Sequence, residues 1–376
     1  MIPIAKPYLG EEEAQAAYDI ILSGWVTQGP KVQEFEEMFA QYTGSKYAVA
    51  VSSCTTALHL ALIVSGIGEG DEVICPSMSF IATANSIRYT GAIPVFAEVD
   101  TDYNLDAADV EKRITKKTKA ILLVHQMGMP ADIRAFQALC NRYSLKLIED
   151  AACAAGSSYH GQKIGSHSDL VCFSFHPRKV ITTGDGGMIT TSNEAFYKRL
   201  KLLRQHGMSI NDRERHLSSR VIFEEYNELG YNYRMTDIQA AVGIKQLQKL
   251  DWLIEERRII AQQYLSAFKG IKAFRLPYEK PGYYTNFQSF SIYLMAPSPI
   301  SRNDLMQKLL DQGISTRRGI MLTHKEKAYI NLDYNSQLPV SEDLNKNSVL
   351  LPLYVPMTSE TVAQVIQAVL SLTGEE

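Results

Sequence analysis

AILLVHQMGMPADIRAFQALCNRYSLKLIED, residues 120–150, decides the fold. It opens on a β-rich apolar run (120–126), passes through a helical stretch around 133–143, and closes on a second apolar run, LKLIED, at 145–150. Apolar strands separated by helices of about ten residues form βαβ units, whose sheet is mainly parallel and covered on both faces. The same rhythm extends upstream. YAVAV (47–51) leads into the helical TTALHLALIV (55–64), DEVICP (71–76) precedes a helix from about Phe80 to Tyr89, and IPVFAEV (93–99) follows. Downstream, CFSF (172–175) and GMITT (187–191) read as further strands joined by a hairpin-like segment rich in Thr and Gly. The expected class is α/β.

The alternation ends at DIQAAVGIKQLQKLDWLIEERRIIAQQYLS, residues 237–266, where apolar residues recur at three and four as in a helix packed on one side. Beyond it lie the strand-like FQSFSIYLM (287–295), a helix near 303–312 and a closing helix near 359–372. That succession suits a smaller α+β domain, with the long helix as the bridge. The expected division is a large domain over 1–245 and a small one over 246–376.

A chain of 376 residues, 45% hydrophobic and 21% charged, can bury a substantial core without disulfides or structural metals. The formal net charge of −3 gives no reason to expect a nucleic-acid surface. Charge clusters such as Glu11-Glu12-Glu13 and Lys112-Arg113 read as solvated helix faces. The five cysteines, Cys54, Cys75, Cys140, Cys153 and Cys172, include no CxxC pair, and an odd, unpaired set suits reduced thiols in the cytoplasm. The start, MIPIAKPYLGEEE, lacks an apolar signal core, and no run approaches the ~18 apolar residues of a membrane span. A soluble cytoplasmic protein with no metal site is the expectation.

The most informative chemistry lies in FSFHPRKVITTGDGGMITT, residues 173–191. Lys179 sits there between a buried strand and a Thr/Gly-rich turn. Burial disfavours an ammonium, and a lysine with a lowered pKa is a nucleophile suited to forming a Schiff base with an aldehyde. Asp150 ends the strand LKLIED, and the carboxyl end of a strand in an open α/β sheet is where ligands bind. An acid there can keep a pyridinium nitrogen protonated, or it can simply cap a following helix. SSCTTAL (52–58) offers the same choice between a phosphate cradle at a helix start and plain N-capping.

These three segments, in this order, resemble the DegT/DnrJ/EryC1/StrS family of sugar aminotransferases, which depend on pyridoxal 5′-phosphate (PLP). The resemblance runs through SGWVTQGPKVQEFE (23–36), SSCTTALHLAL (52–62), PSMSFIATANSIRYTGAIPVF (76–96), LIEDAACAAG (147–156), GYNYRMTDIQAAVGIKQLQKLD (230–251) and LPLY (351–354). It implies fold type I of PLP enzymes (aspartate aminotransferase-like), with a large domain built on a seven-stranded mixed sheet. It implies that Lys179 forms the Schiff base and shuttles the proton, that Asp150 pairs with the pyridinium nitrogen, and that Ser174, Thr55 and Thr56 hold the phosphate. Phe80 matches an aromatic position stacked on the cofactor ring. Asn232, in GYNYR, matches a residue reaching the phosphate of a neighbouring subunit, with Arg234 as the alternative. This implies a homodimer with shared sites.

Two positions depart from the family pattern. Cys54 stands where many members have Gly, and Cys153 stands where many have Gln or His near the phenolic oxygen of PLP; a thiol is a weak hydrogen-bond partner there. His176 occupies a position where several sugar 4-aminotransferases carry His. In TRRGIMLTH (316–324), Arg317, Arg318 and His324 are candidates for substrate contact, Arg being the natural fork for a diphosphate. The implied partners are L-glutamate and a nucleotide-linked keto sugar. The TTGDGG run (182–187) resembles members acting at C4, with C3 amination and a non-catalytic PLP-binding homologue as the other readings. A sugar dehydratase of the same family replaces the lysine by His, which Lys179 opposes.

Overall fold

The computed structural model describes residues 1–210, 219–221, 223–296, 298–330 and 337–374. Its first half is built on β1 (Tyr47–Val51), β2 (Glu72–Pro76), β3 (Ile93–Ala97), β4 (Thr118–Val124) and β5 (Lys146–Asp150). A short ribbon of β6 (Ser158–Tyr159) and β7 (Gln162–Lys163) intervenes before β8 (Leu170–Ser174) and β9 (Gly187–Thr191). The main sheet has seven strands in the order β1-β9-β8-β5-β4-β2-β3. The pairs from β3 through to β8 are parallel, and β9 runs antiparallel to both neighbours, β8 and β1. The sheet is therefore mixed, with one reversed strand, and the carboxyl ends of β1, β2, β4, β5 and β8 share one edge.

The stretch 120–150 folds as expected: β4, then a helix over Ile133–Tyr143, then β5, with Ala120 beside Lys146 and Val124 beside Asp150. Every residue of β8 and β9 is buried, which is why these strands carry no polar alternation. The helix expected from Phe80 begins two residues later, as Ala82–Tyr89.

Residues before 45, where the sequence reading placed no strand and only a helix face at Glu11-Glu12-Glu13, form α1 (Glu11–Ser23) and α2 (Pro30–Thr43). Phe35 and Phe39 of α2 are fully buried and meet Phe175, while Phe39 also meets Phe173 edge-on at 4.9 Å between ring centroids. Burial of each such ring contributes about 1.5–3 kcal/mol. The Glu11-Glu12-Glu13 cluster is not wholly solvated. Glu13 is buried, accepting from Gly10 N, Gln246 Nε2 and Lys249 Nζ at 2.7–2.9 Å. Burial pushes its carboxyl up, but Lys249 and the two amide donors more than offset this, and the net direction is down.

The long helix spans Asp237–Ala267 without a break and packs on α1 and α2. Asp237 also caps α2, accepting from Gly29, Lys31 and Val32 N at 2.8–3.1 Å. The second sheet comprises β10 (Phe274–Arg275), β12 (Phe290–Leu294), β13 (Arg317–Arg318) and β14 (Ser348–Leu351), while β11 (Tyr283–Tyr284) joins the β6–β7 ribbon. Residues 302–311 and 359–373 are helical, close to the expected bounds. The chain's first residues run with this second unit, since Ile2 bridges to Ile314 and Leu353 N donates to Ile4 O at 3.2 Å. Among the described residues no helix is long and apolar enough to cross a membrane.

Candidate active site

A cavity of roughly 580 Å³ opens at the shared carboxyl edge of the main sheet, facing β13 of the second sheet. That is the place where open α/β sheets bind ligands, and the size suits a small organic molecule with its substrate. Of the residues expected to act, Thr55, Phe80, Asp150, Cys153, Ser174, His176, Lys179, Arg317 and Arg318 all line it.

Asp150 is fixed from several directions. Its backbone pairs with β4 on one side and β8 on the other, and its carbonyl accepts from His125 N at 3.1 Å. Its Oδ2 accepts from Thr83 Oγ1 at 3.0 Å and its Oδ1 from Ala152 N at 3.1 Å. No helix follows it; residues 151–157 are turns, so helix capping is not its role. Burial pushes its carboxyl pKa up, against the smaller lowering effects of the Ala152 amide, the Thr83 hydroxyl and Lys179. A carboxylate held so firmly in a dry place gains most from a cationic partner.

Lys179 extends from the segment after β8 and places Nζ 3.2 Å from Cys153 Sγ. Burial acts to lower its pKa, as expected from sequence, but Cys153, Cys54 and Asp150 act the other way and the net direction is upward. His176 is held neutral, its pKa lowered by burial and then by Arg178, and its Nδ1 accepts from Arg178 N at 3.2 Å.

The helix α3 (Cys54–Val64) starts at the cavity. Ser53 is its cap: Ser53 Oγ accepts from Thr56 N, and Thr56 Oγ1 accepts from Ser53 N at 3.1 Å. The two threonines therefore separate. Thr56 is taken up by the cap and is not on the cavity wall, whereas Thr55 is. The Cys54 and Thr55 amides occupy the first helical positions, where no preceding carbonyl is available to them, and this end of a helix favours an anion. Ser174 adds a hydroxyl at the end of β8. Gly187 explains how β9 comes so close, because a Cβ there would lie 2.5 Å from the Ser53 carbonyl atoms and 2.7 Å from Cys54 N. Cys54 itself is a neutral thiol, pushed well up by burial and then by Asp150.

Besides Thr56, two further expected residues are not brought to this cavity. His324 is held elsewhere, with Nδ1 2.5 Å from Ser77 Oγ and Nε2 3.4 Å from Glu342 Oε1, and it ties the second unit to the end of β2. Asn232 is exposed, accepts from Arg234 Nε at 3.2 Å, and does not line its own chain's cavity. Sequence reading missed Thr83, whose support of Asp150 needs the sheet to fold first. It also missed Gln126, Met127 and Gln288 on the cavity wall.

An anion-favouring helix start, a fixed buried carboxylate and a lysine around one cavity fit a group carrying a phosphate, a basic ring nitrogen and an aldehyde. The comparisons agree. The DegT/DnrJ/EryC1/StrS aminotransferase family matches residues 7–370, and the chain belongs to that family. It is 37% identical over 378 residues to a protein of Methanocaldococcus jannaschii named only as uncharacterized, covering 100% of this chain and 98% of that one. Among solved structures, it is similar to Spr1654 of Streptococcus pneumoniae, assigned as a sugar aminotransferase, with TM-score 0.94, 28% identity and coverage of 100% and 99%. That protein is solved in both its PMP and PLP forms. Helicobacter pylori PseC, an aminotransferase involved in the biosynthesis of pseudoaminic acid, is similar with TM-score 0.92, 29% identity and 99% coverage of each chain. The protein is a PLP-dependent sugar aminotransferase of fold type I.

Proposed function

We propose that this enzyme moves the amino group of L-glutamate to C4 of a nucleotide-linked 4-keto-6-deoxyhexose, in the cytoplasm, for the biosynthesis of deoxyamino sugars in O-antigens, capsules or glycans. The observation that carries the catalytic reading is that Lys179, Asp150, Ser174 and the α3 start converge on one cavity. PLP, when bound, supplies an electron sink for the carbanion formed as a proton leaves the donor α-carbon. Asp150 keeps the ring nitrogen protonated, and the Cys54 and Thr55 amides with Ser174 hold the phosphate. Lys179 Nζ would take the proton from the donor α-carbon and later return one to the sugar carbon. Phe80, exposed on the cavity wall, would cover the ring face. Arg317 and Arg318 extend from β13 towards the same space and suit a diphosphate, although Arg318 Nη2 also lies 3.6 Å from Glu326 Oε1. The domain division that goes with this reading is 1–245 and 246–376, the boundary falling inside the long helix.

The preference for C4 rests on the TTGDGG run after Lys179. Thr182 Oγ1 donates to Phe175 O at 2.7 Å, Gly184 N donates to Thr182 Oγ1 at 3.0 Å, and Asp185 stands on the cavity wall. A turn closed on itself in this way sets the wall next to Lys179, and so helps set which sugar carbon faces Nζ. Incubation with glutamate and separate 3-keto and 4-keto nucleotide sugars, with NMR of the product, is expected to place the amine at C4. A C3-only product overturns this assignment, and no product from any keto sugar favours the non-catalytic reading.

Assembly belongs to the same proposal. Asn232 is exposed and does not line its own chain's cavity, and the surrounding segment exposes large apolar side chains: Val221 and Phe223 are each 84% accessible. Exposure of that kind supports burial against a second copy. Phe223→Asp with Leu229→Asp is expected to yield a monomer that loses PLP and activity together, as read by sedimentation and absorbance. A fully active monomer rejects the shared site.

A further inference from the structure

The turn 285–289 leads into β12 of the second sheet, yet its side chains reach across to three loops at the carboxyl edge of the first. Asn286 is wholly buried, and its Nδ2 donates to the carbonyls of Cys153 and Ala155, each at 2.9 Å. Its N donates to Ser157 Oγ at 3.1 Å, and that hydroxyl donates to Gly128 O at 2.6 Å. Its Oδ1 accepts from Gln288 N at 2.9 Å. Gln288 Nε2 in turn donates to the carbonyl of Arg178, the residue before Lys179, at 2.9 Å.

The backbone shows that this arrangement is imposed. Phe287, between the two amides, has φ 45, a left-handed conformation that a bulky non-glycine residue adopts only when its surroundings enforce it. Arg257 of the long helix enforces it, donating to the carbonyls of Phe287 at 2.9 Å, Gln288 at 2.6 Å and Leu353 at 3.2 Å. On the facing loop Met127 has φ 55, and Gly128 (φ 94) admits Asn286 Oδ1 where a Cβ would lie 1.9 Å away. Two left-handed turns, one from each unit, interlock at the cavity.

We propose that Gln288, presented by this Asn286–Phe287 turn, is a positioning residue for Lys179. The bond to Arg178 O fixes the peptide plane that enters Lys179, while Lys179 N donates to His176 O at 2.8 Å on the other side. Asn286 fixes the backbone of Cys153, the residue whose sulphur lies 3.2 Å from Nζ. Both groups that determine where Nζ stands are therefore held from one turn of the second unit. Gln288 lines the cavity, but its amide is already engaged, with Nε2 on Arg178 O and Oε1 accepting from Ser289 Oγ at 2.9 Å. It acts through Lys179 and not on substrate, and the inference rests on Lys179 being the Schiff-base lysine.

Gln288 is only half-buried, so Gln288→Met and Gln288→Glu keep the size and remove the donor with little effect on folding. Misplacing a reacting group by about 1 Å costs about a hundredfold in rate, so kcat should fall by up to that factor while KM for the sugar stays within about threefold. Three further readouts separate positioning from simple structure. Deuterium uptake over residues 176–181 in the cofactor-free protein should rise about five- to tenfold with one hydrogen bond lost. The pH midpoint of the visible Schiff-base absorbance should move by about half a unit or more. Gln288→His, which keeps an N–H donor, should restore both. Unchanged uptake and an unchanged midpoint overturn the proposal, and so does a fall in Tm that leaves both unmoved. Borohydride labelling of Lys179 in the unsubstituted protein keeps the two ideas apart: without that label the Lys179 assignment fails, and with it an unmoved midpoint sinks the positioning role alone.

Discussion

Lys179→Ala is expected to lower kcat by about 10⁴ or more, because it removes both the nucleophile and the proton carrier, and the proton carrier alone contributes about 10²–10⁴. The cavity offers no substitute. Cys54 is a neutral thiol, its pKa raised by burial, and His176 is held by Arg178 N. PLP should still bind without a covalent link, because Asp150, Ser174 and the start of α3 are untouched by the substitution. Reduction of the native protein with borohydride, followed by peptide mapping, should place the cofactor on Lys179; label on another lysine rejects the assignment. The cofactor-free protein also carries a pH consequence. The Lys179 pKa is raised on folding, so the stabilisation it gives is fully present below the unfolded value and is lost as pH climbs through the folded one.

Much of this site was legible because its parts end strands. Asp150 closes β5, Ser174 closes β8, and α3 begins three residues after β1 ends, so each could be placed by locating apolar runs in the chain. The single reversed strand, β9, agrees with the hairpin-like, Thr- and Gly-rich segment read between it and β8. What escaped notice depends on contacts between distant residues. Asn286 meets Cys153 across 133 positions and Gln288 meets Arg178 across 110, and the turn that allows it is left-handed at a phenylalanine, where nothing in the residue type announces it. Glu13 looked like one of three solvated acids, and only the packing of α1 on the long helix, which brings Lys249 and Gln246 to it, makes it a buried partner. His324 was the converse case. Its neighbourhood of basic residues suggested substrate, but Ser77 and Glu342 occupy both its ring nitrogens.

Asp150→Asn is expected to separate binding from chemistry. The amide keeps the size and can still meet Thr83 and the Ala152 amide, so the cavity should survive and PLP should bind. It cannot balance a charge on the ring nitrogen, and removing one fixed electrostatic partner of a developing charge costs about 10²–10³ in kcat. Stability should move the opposite way in the cofactor-free protein. Burial raises the Asp150 pKa on folding, so the folded state binds a proton more readily than the unfolded chain. The stability contributed by the protonated form is then fully present below the unfolded carboxyl value and is lost as pH rises through the folded one. At neutral pH the native aspartate is thus a cost to the cofactor-free fold, and asparagine relieves it. Thermal unfolding without PLP should give Asp150→Asn a Tm at least equal to that of the native chain at pH 7, with the advantage shrinking towards acid. With PLP bound the order should reverse, because only the carboxylate gains from the pyridinium. A variant that keeps near-native kcat, or whose cofactor-free form is less stable than the native protein at pH 7, would show that Asp150 serves the fold and not the ring nitrogen.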